Sequence, residues 1–322
     1  MIDFTRAVAM VEGAKRILVT CHLGPDGDST GSMSALAALL GAQGRDVVLF
    51  NPDGIPRVLR FLPHVSGLVH RLRGAAPFDL TIVVDCGARR LLGEDFPPAE
   101  VTGPLLVLDH HATVEPFGEL YLCDPAAACV GVMVVRLAAA LGWDLPDGAA
   151  PGLYTSLVAD TGFFRYSNTN GEALHLAARL VEDHGVDPWR IAEELGERAS
   201  LSRYKLLSAA LSALELALGG KVAVMVITDE MVRAAGATWE ETEGFVNYAR
   251  ALDGVECGVL LSTAKPHGTR VSLRSKGRRV DAGRVCQAFG GGGHKGAAGC
   301  KMDVPVAESR VRILEALAAA LG

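Results

Sequence analysis

The sequence predicts an α/β chain: an N-terminal parallel sheet with helices on both faces, a helical connector, and a smaller α/β domain at the C-terminus. Three observations carry that expectation. Runs such as 79–84 and Leu105–Leu108 are apolar without polar alternation, as expected of strands buried on both faces. Ala- and Leu-rich stretches of helical length stand between them, the alternation that builds parallel sheets with crossover helices. The chain has 322 residues, 49% of them hydrophobic and 21% charged, which suffices for two cores and excludes a disordered chain. The expected boundaries are 1–185, 186–218 for the connector, and 219–322.

Residues 2–13 read as a first helix, 16–20 as a strand, 29–40 as a helix stopped by Gly41 and Gly44, and 46–50 as a second strand. The runs 79–84 and 105–108 supply two more strands. Helices are expected over 126–141 and 149–160, and Thr169-Asn170-Gly171-Glu172 has capping-box spacing for a helix through Glu182. Ser200–Leu218 reads as one long helix. The second domain opens with the strand 222–227, has a second capping box at Thr238–Glu241, and continues with strands 257–262 and 269–274 around a turn at Lys265–Gly268. A short helix near 281–288, four successive glycines from Gly290, a small-residue helix after Lys295, and a terminal helix near 307–321 complete the expectation.

Composition narrows the function. No apolar run is long enough to span a bilayer, and residues 1–6 lack the charged and apolar pattern of a secretory signal. Seven cysteines in irregular spacing, with no CxxC, predict free thiols in a reducing compartment, hence a cytoplasmic protein. Net charge is −6, yet 257–302 holds nine Lys/Arg against one acid, Asp281. A basic patch on an acidic chain suits a small anion or a short nucleic acid.

The polar residues fall in a pattern. His22, Asp85 and Asp109-His110-His111 each stand just past the carboxyl end of an expected parallel strand, the edge where open α/β sheets bind ligands. The turn at Cys21–Ser32 also crowds His22, Asp26 and Asp28 into seven residues, which is unfavourable without a cation among them. Carboxylates and imidazoles without thiolate suit Mn²⁺, Mg²⁺ or Fe²⁺ better than structural zinc, and two such ions can clamp a phosphate. Strand alternation turns Cys21 and Cys86 away from that edge.

His22, Asp26-Gly27-Asp28-Ser29, Asp85, Asp109-His110-His111 and Asp160-Thr161-Gly162 together resemble the motifs of the DHH-family phosphoesterases. Phe289–Gly299 resembles the glycine-rich signature of the DHH-associated C-terminal domain, and length and layout look most like the family's nanoRNase branch, described as bifunctional oligoribonucleases and pAp phosphatases. The resemblance implies two divalent ions, Mn²⁺ foremost, one on His22, Asp26 and Asp85, the other on Asp28, Asp85, His110 and Asp160, with Asp85 bridging. It implies that Asp85, Asp109 and His111 are catalytic, Asp109 orienting a histidine and His111 facing the phosphate. It further implies that Arg274, Ser275, Gly291, Gly292, Gly293 and His294 bind substrate. The implied activity is Mn²⁺-dependent hydrolysis of oligoribonucleotides of about two to five residues and of pAp. The short length is expected because only 6% of residues are aromatic, leaving no stacking platform for a long strand. Phosphodiester hydrolysis of cyclic or linear dinucleotides, and a non-catalytic RNA-binding module, are alternatives left open here, as is a homodimer.

Overall fold

The computed structural model describes residues 2–72, 74, 76–264 and 268–322, folded as two compact units, Met1–Arg198 and Ala199–Gly322. The first unit contains α1 (Thr5–Gly13), β1 (Arg16–Cys21), α2 (Gly27–Ala42), β2 (Asp46–Phe50), β3 (Leu80–Val84), α3 (Ala99–Thr102), β4 (Leu105–Asp109), β5 (Leu120–Cys123), α4 (Val130–Leu141), α5 (Ala150–Asp160), α6 (Gly171–Glu182) and α7 (Pro188–Ala192). Its five strands are all parallel, in the order β2-β1-β3-β4-β5. The chain passes from β1 outward to β2 and then returns to the other side of β1 for β3. The β1/β3 boundary is therefore the topological switch point, where the carboxyl edge opens a crevice.

The two faces of this sheet are covered unequally. Ile17, Val19, Ile82, Val84, Leu106 and Leu108 pack under the long helices α1, α2, α4, α5 and α6. The opposite face, with Leu18, Phe50, Val83 and Val107, is covered by loops, the 3₁₀ turn Arg89–Leu92 and α3. Strands buried on both sides account for the uninterrupted apolar runs. α2 and α5 lie antiparallel and almost touch: a Cβ on Gly31 would lie 2.4 Å from the Gly152 carbonyl oxygen, and one on Gly27 would lie 2.4 Å from the Ala159 Cβ. This glycine contact brings the start of α2 against the end of α5.

The second unit contains α8 (Leu201–Ser212), β6 (Glu215–Ala217), β7 (Val222–Ile227), α9 (Asp229–Ala235), α10 (Val246–Ala251), β8 (Cys257–Ala264), β9 (Gly268–Ser275), α11 (Ala282–Gln287), β10 (Gly292–His294), β11 (Ala297–Met302) and α12 (Val306–Leu321). Its sheet runs β10-β11-β9-β8-β7-β6, with only the β7–β8 pair parallel. No helix among the described residues is long and apolar enough to cross a membrane.

Four expectations need correcting. The edge strand β5 was not anticipated. The long helix over Ser200–Leu218 ends at Ser212, and Glu215–Ala217 instead pairs antiparallel with β7. The small-residue run expected to be helical after Lys295 is strand β11, paired with β9 on one side and β10 on the other. The cap of α6 is Asn170, whose side chain accepts from the Ala173 N–H, and not the box headed by Thr169. The box at Thr238 does form, on a 3₁₀ turn. The turn expected at Lys265–Gly268 falls on 265–267, outside the described residues.

Candidate metal centre

The strand-end residues of the first unit converge at the switch point. His22 follows β1, and its Nε2 lies 3.5 Å from Asp85 Oδ2 and 4.0 Å from Asp26 Oδ1. Its Nδ1 lies 2.8 Å from the Leu23 carbonyl oxygen. A carbonyl can only accept, so Nδ1 carries the proton and Nε2 is the nitrogen turned to the carboxylates. His110 repeats the arrangement. Its Nδ1 lies 3.1 Å from the Ala127 carbonyl oxygen, and its Nε2 is 3.4 Å from Asp28 Oδ2, 3.7 Å from Asp160 Oδ2 and 3.8 Å from Asp85 Oδ1.

Besides a group of Asp85, Asp109 and His111, two groups of potential ligand atoms result, His22 with Asp26 and Asp85, and Asp28 with His110 and Asp160; within each, the atoms lie within 4.8 Å of one another. The two oxygens of Asp85 divide between them, Oδ2 toward His22 and Oδ1 toward His110 and His111. Asp85 holds this position with a left-handed backbone, φ 56°, and its N–H donates to the Leu108 carbonyl 3.0 Å away. Asp tolerates that conformation better than most residues, at a cost on the order of 1 kcal/mol.

The acids of the first turn are helix residues rather than loop residues. Asp26 caps α2, exchanging hydrogen bonds with Ser29, and remains exposed. Asp28, in the first turn of α2, is buried: its carboxylate accepts from the Ser156 hydroxyl at 2.6 Å, the Ser32 hydroxyl at 3.2 Å and the Val130 N–H at 2.8 Å. Val130 opens α4, so the N-terminal ends of two helices favour this anion. Asp160 ends α5 and accepts from Asn168 Nδ2 at 3.1 Å.

Asp109 belongs to neither of these two groups but lies in the further one with Asp85 and His111. It is fully buried, and its Oδ1 accepts from the backbone N–H groups of His110 and His111 and from His111 Nδ1, the last at 2.7 Å. Its Oδ2 accepts from the Tyr121 hydroxyl. The sequence reading missed Tyr121 because it missed β5. It also missed Ser156, Asn168, and Asn51, whose buried amide donates to the His22 carbonyl at 2.9 Å. The alternation Leu120-Tyr121-Leu122, with leucines on the helix-covered face and Tyr121 on the other, was the available signal.

The electrostatics of the cluster call for positive charge. Burial alone would lower the His22 imidazole, but its bond to Asp85 and the charges of Asp26 and Asp85 outweigh burial and push it up to about 10. Against the same burial, Asp160, Asp28 and Asp85 push His110 up to about 9, and the bond to Asp109 raises His111. Burial, then the charge of Asp85, carries Asp28 well above the carboxylate range, and burial raises Asp160 to about 6. Asp85 goes the other way: burial opposes its charge, yet His22, His111 and His110 hold it below the usual range. Protons thus gather where carboxylates crowd. The charge of Asp26, Asp28, Asp85 and Asp160 matches that of two divalent cations, and the donors are oxygen and imidazole nitrogen, so the residues fit such ions. None of the seven cysteines joins these groups; all are free thiols, Cys21 and Cys86 buried on opposite faces of the sheet.

Just beyond Asp160, Gly162, Phe163 and Phe164 take three successive left-handed conformations, φ 56°, 59° and 62°. Phe164 turns inward, its ring 6.3 Å from that of Tyr154, while Phe163 is 40% exposed.

In the second unit the expected substrate residues divide. Arg274 sits on β9 opposite Ala297, its guanidinium bonded only to the Leu273 carbonyl among the hydrogen bonds described. Ser275 is buried, its hydroxyl donating to the Val280 carbonyl at 2.5 Å and accepting from the Gly277 N–H at 2.8 Å, so it closes a turn. Gly291 and Gly293 are required by packing, since a Cβ would lie 2.2 Å from the Gly299 carbonyl oxygen or 2.5 Å from that of Ala297. Gly292, with open space around it, and His294 lie on β10, which forms a hairpin with β11.

Residues 16–157 match the DHH family, N-terminal domain, and residues 219–322 match the DHHA1 domain. A protein of Thermus thermophilus named bifunctional oligoribonuclease and PAP phosphatase NrnA is 32% identical over 309 residues, covering 95% of this chain and 90% of that protein. The Bacillus subtilis protein of the same name is 26% identical, covering 89% of each. A crystal structure of an exopolyphosphatase-related protein from Bacteroides fragilis superposes with a TM-score of 0.89 at 25% identity, covering 98% of this chain and 96% of that one. The chain is a member of the DHH family, of the two-domain type in which a DHHA1 domain follows the DHH domain.

Proposed function

We propose that this chain is a Mn²⁺-dependent phosphoester hydrolase that degrades oligoribonucleotides of about two to five residues to mononucleotides and removes a phosphate from pAp by two-metal hydrolysis. The observation that carries the mechanism is the division of the Asp85 carboxylate between two groups of donors. The names of the Thermus and Bacillus relatives support the substrate class. His22, Asp26 and Asp85 would hold one ion, and Asp28, Asp85, His110 and Asp160 the other. When bound, these cations neutralise charge building on the phosphate and activate the attacking water.

The protein's own residues do the rest. Asn51 fixes the His22 backbone, and Ser156, Ser32 and the α4 N-terminus fix Asp28, so the donors are held before a ligand arrives. His111 donates its Nδ1–H as a hydrogen bond to Asp109, so Nε2 would be the nitrogen that meets the phosphate. Against burial, the bond to Asp109 raises His111, which favours the imidazolium form in which Nε2 would donate a hydrogen bond to a phosphate oxygen. In the second unit, Arg274, Ser275, Gly291, Gly292, Gly293 and His294 would contact the substrate.

The test is a Mn²⁺-supplemented assay on RNAs from two to about 24 residues, with pAp, linear pApA and cyclic di-AMP in parallel. Turnover should be fastest on the shortest RNAs and present on pAp. Equal turnover at all lengths, or hydrolysis confined to cyclic di-AMP, would overturn the substrate assignment.

A further inference from the structure

We propose that Tyr121 is a positioning residue for the hydrolysis, acting through Asp109 on His111; this rests on the reading of His111 as the phosphate contact. Asp109 has no exposure, so every oxygen lone pair it leaves without a donor is a buried polar defect. Its Oδ1 is saturated by His110 N–H, His111 N–H and His111 Nδ1. For Oδ2, the Tyr121 hydroxyl is the one donor in the hydrogen bonds of the described residues.

The placement follows from strand register. β4 and β5 pair with Val107 opposite Tyr121 and Asp109 opposite Cys123, so Tyr121 and Asp109 lie on the same face, two residues apart along the strands. The Tyr121 ring is fixed by Phe117, 5.8 Å away and edge to face, and by the apolar cluster of Val83, Cys86 and Val107. The hydroxyl also lies 3.2 Å from the Cys86 carbonyl oxygen, the residue after Asp85. A hydroxyl has one proton, and the anionic carboxylate is the stronger acceptor. Tyr121 therefore locks the carboxylate plane of Asp109, and that plane sets the direction of the His111 ring. The hydrogen bonds of Tyr121 among the described residues reach none of His22, Asp26, Asp28, Asp85, His110 and Asp160.

Tyr121→Phe keeps the packed ring and removes only the hydroxyl. On pApA with Mn²⁺, kcat should fall about 10–100-fold, the range seen when a supporting partner of a site histidine is removed, while KM stays near its wild-type value. In a His111→Ala background the same change should alter kcat less than about twofold, because the two residues act as one unit. Equal effects in both backgrounds, or an unchanged kcat in the wild-type background, would reduce Tyr121 to a packing role. A second readout needs no activity. Proton NMR of chelator-treated wild type should show the Tyr121 hydroxyl and the His111 Nδ1 proton protected from exchange, the latter shifting in Tyr121→Phe. A hydroxyl exchanging freely with water overturns the proposal even if the variant does not fold. A wild-type chain with no phosphoesterase activity would count against the proposed function, and the NMR result would still decide the Tyr121–Asp109–His111 chain.

Discussion

Asp28→Asn and Asp85→Asn should have the same effect on activity and opposite effects on stability. Both substitutions keep side-chain shape, and Asn tolerates the left-handed backbone at position 85, where φ is 56°. Each removes a charge from the centre, so each should lower turnover about 100–1000-fold, as expected for an electrostatic element of the transition state. In the absence of divalent cations the two carboxylates are not equivalent. Burial and the Asp85 charge hold Asp28 well above the carboxylate range, so its ionised form opposes folding at neutral pH. Despite the same burial, His22, His111 and His110 hold Asp85 below that range, so its ionised form supports folding. Removing a buried charge is typically worth about 1–3 kcal/mol, its sign set by whether the ionised form opposes or supports folding. For a unit of this size each kcal/mol shifts Tm by roughly 2–4 °C. In chelator, Asp28→Asn should therefore melt several degrees above wild type, and Asp85→Asn several degrees below. Calorimetry in EDTA and a turnover assay in Mn²⁺ give both answers. Shifts of the same sign, or more than about a tenth of wild-type turnover in either variant, would refute the reasoning.

Three further outcomes are expected. His22 and His110 hold their protons more tightly when folded, up to about 10 and about 9 against an ordinary 6.5; in chelator their stabilisation is full below pH 6.5 and is lost as pH rises to 10. Melting scans across that window should show Tm falling, while the rise in Tm on adding Mn²⁺ grows, because the ions must displace those protons. Phe163→Gly should melt roughly 2–4 °C above Phe163→Ala, reversing the usual order, since both lose the ring and only glycine is at ease at φ 59°; equal melting would remove the claim of strain. Arg274→Ala should raise KM for pApA far more than for a chromogenic phosphodiester without a terminal phosphate, and equal changes would show that Arg274 does not read the nucleotide.

Much of the first unit was legible because its physics is local. Strands buried on both faces must be continuously apolar, and β1, β3 and β4 show it. Residues just past their ends must lie on one edge, which is why His22, Asp85 and Asp109–His111 could be grouped from the chain alone. What failed was decided by tertiary pairing. Residues Glu215–Ala217 are all tolerable in a helix, but pairing with β7 makes them a strand. Ala297–Met302 favours helix by composition, and β9 on one side with β10 on the other overrides it. β5 is four residues long and half-exposed, too short for its pattern to stand out. The supporting side chains were invisible for the same reason: Tyr121 reaches Asp109 across 12 residues, Asn51 reaches His22 across 29, and Ser156 reaches Asp28 across 128. Asp26 and Asp28 were found as metal-type residues, but not as the cap and first turn of α2.

In the proposed mechanism one carboxylate, Asp85, joins two cation sites on which hydrolysis depends. Titrating chelator-treated protein with Mn²⁺, while following bound metal and pApA hydrolysis together, tests it most directly. Two ions should bind per chain, with turnover rising only as the second site fills, and Asp85→Asn should lose both. Full turnover in chelator, or saturation with a single ion, would contradict the account.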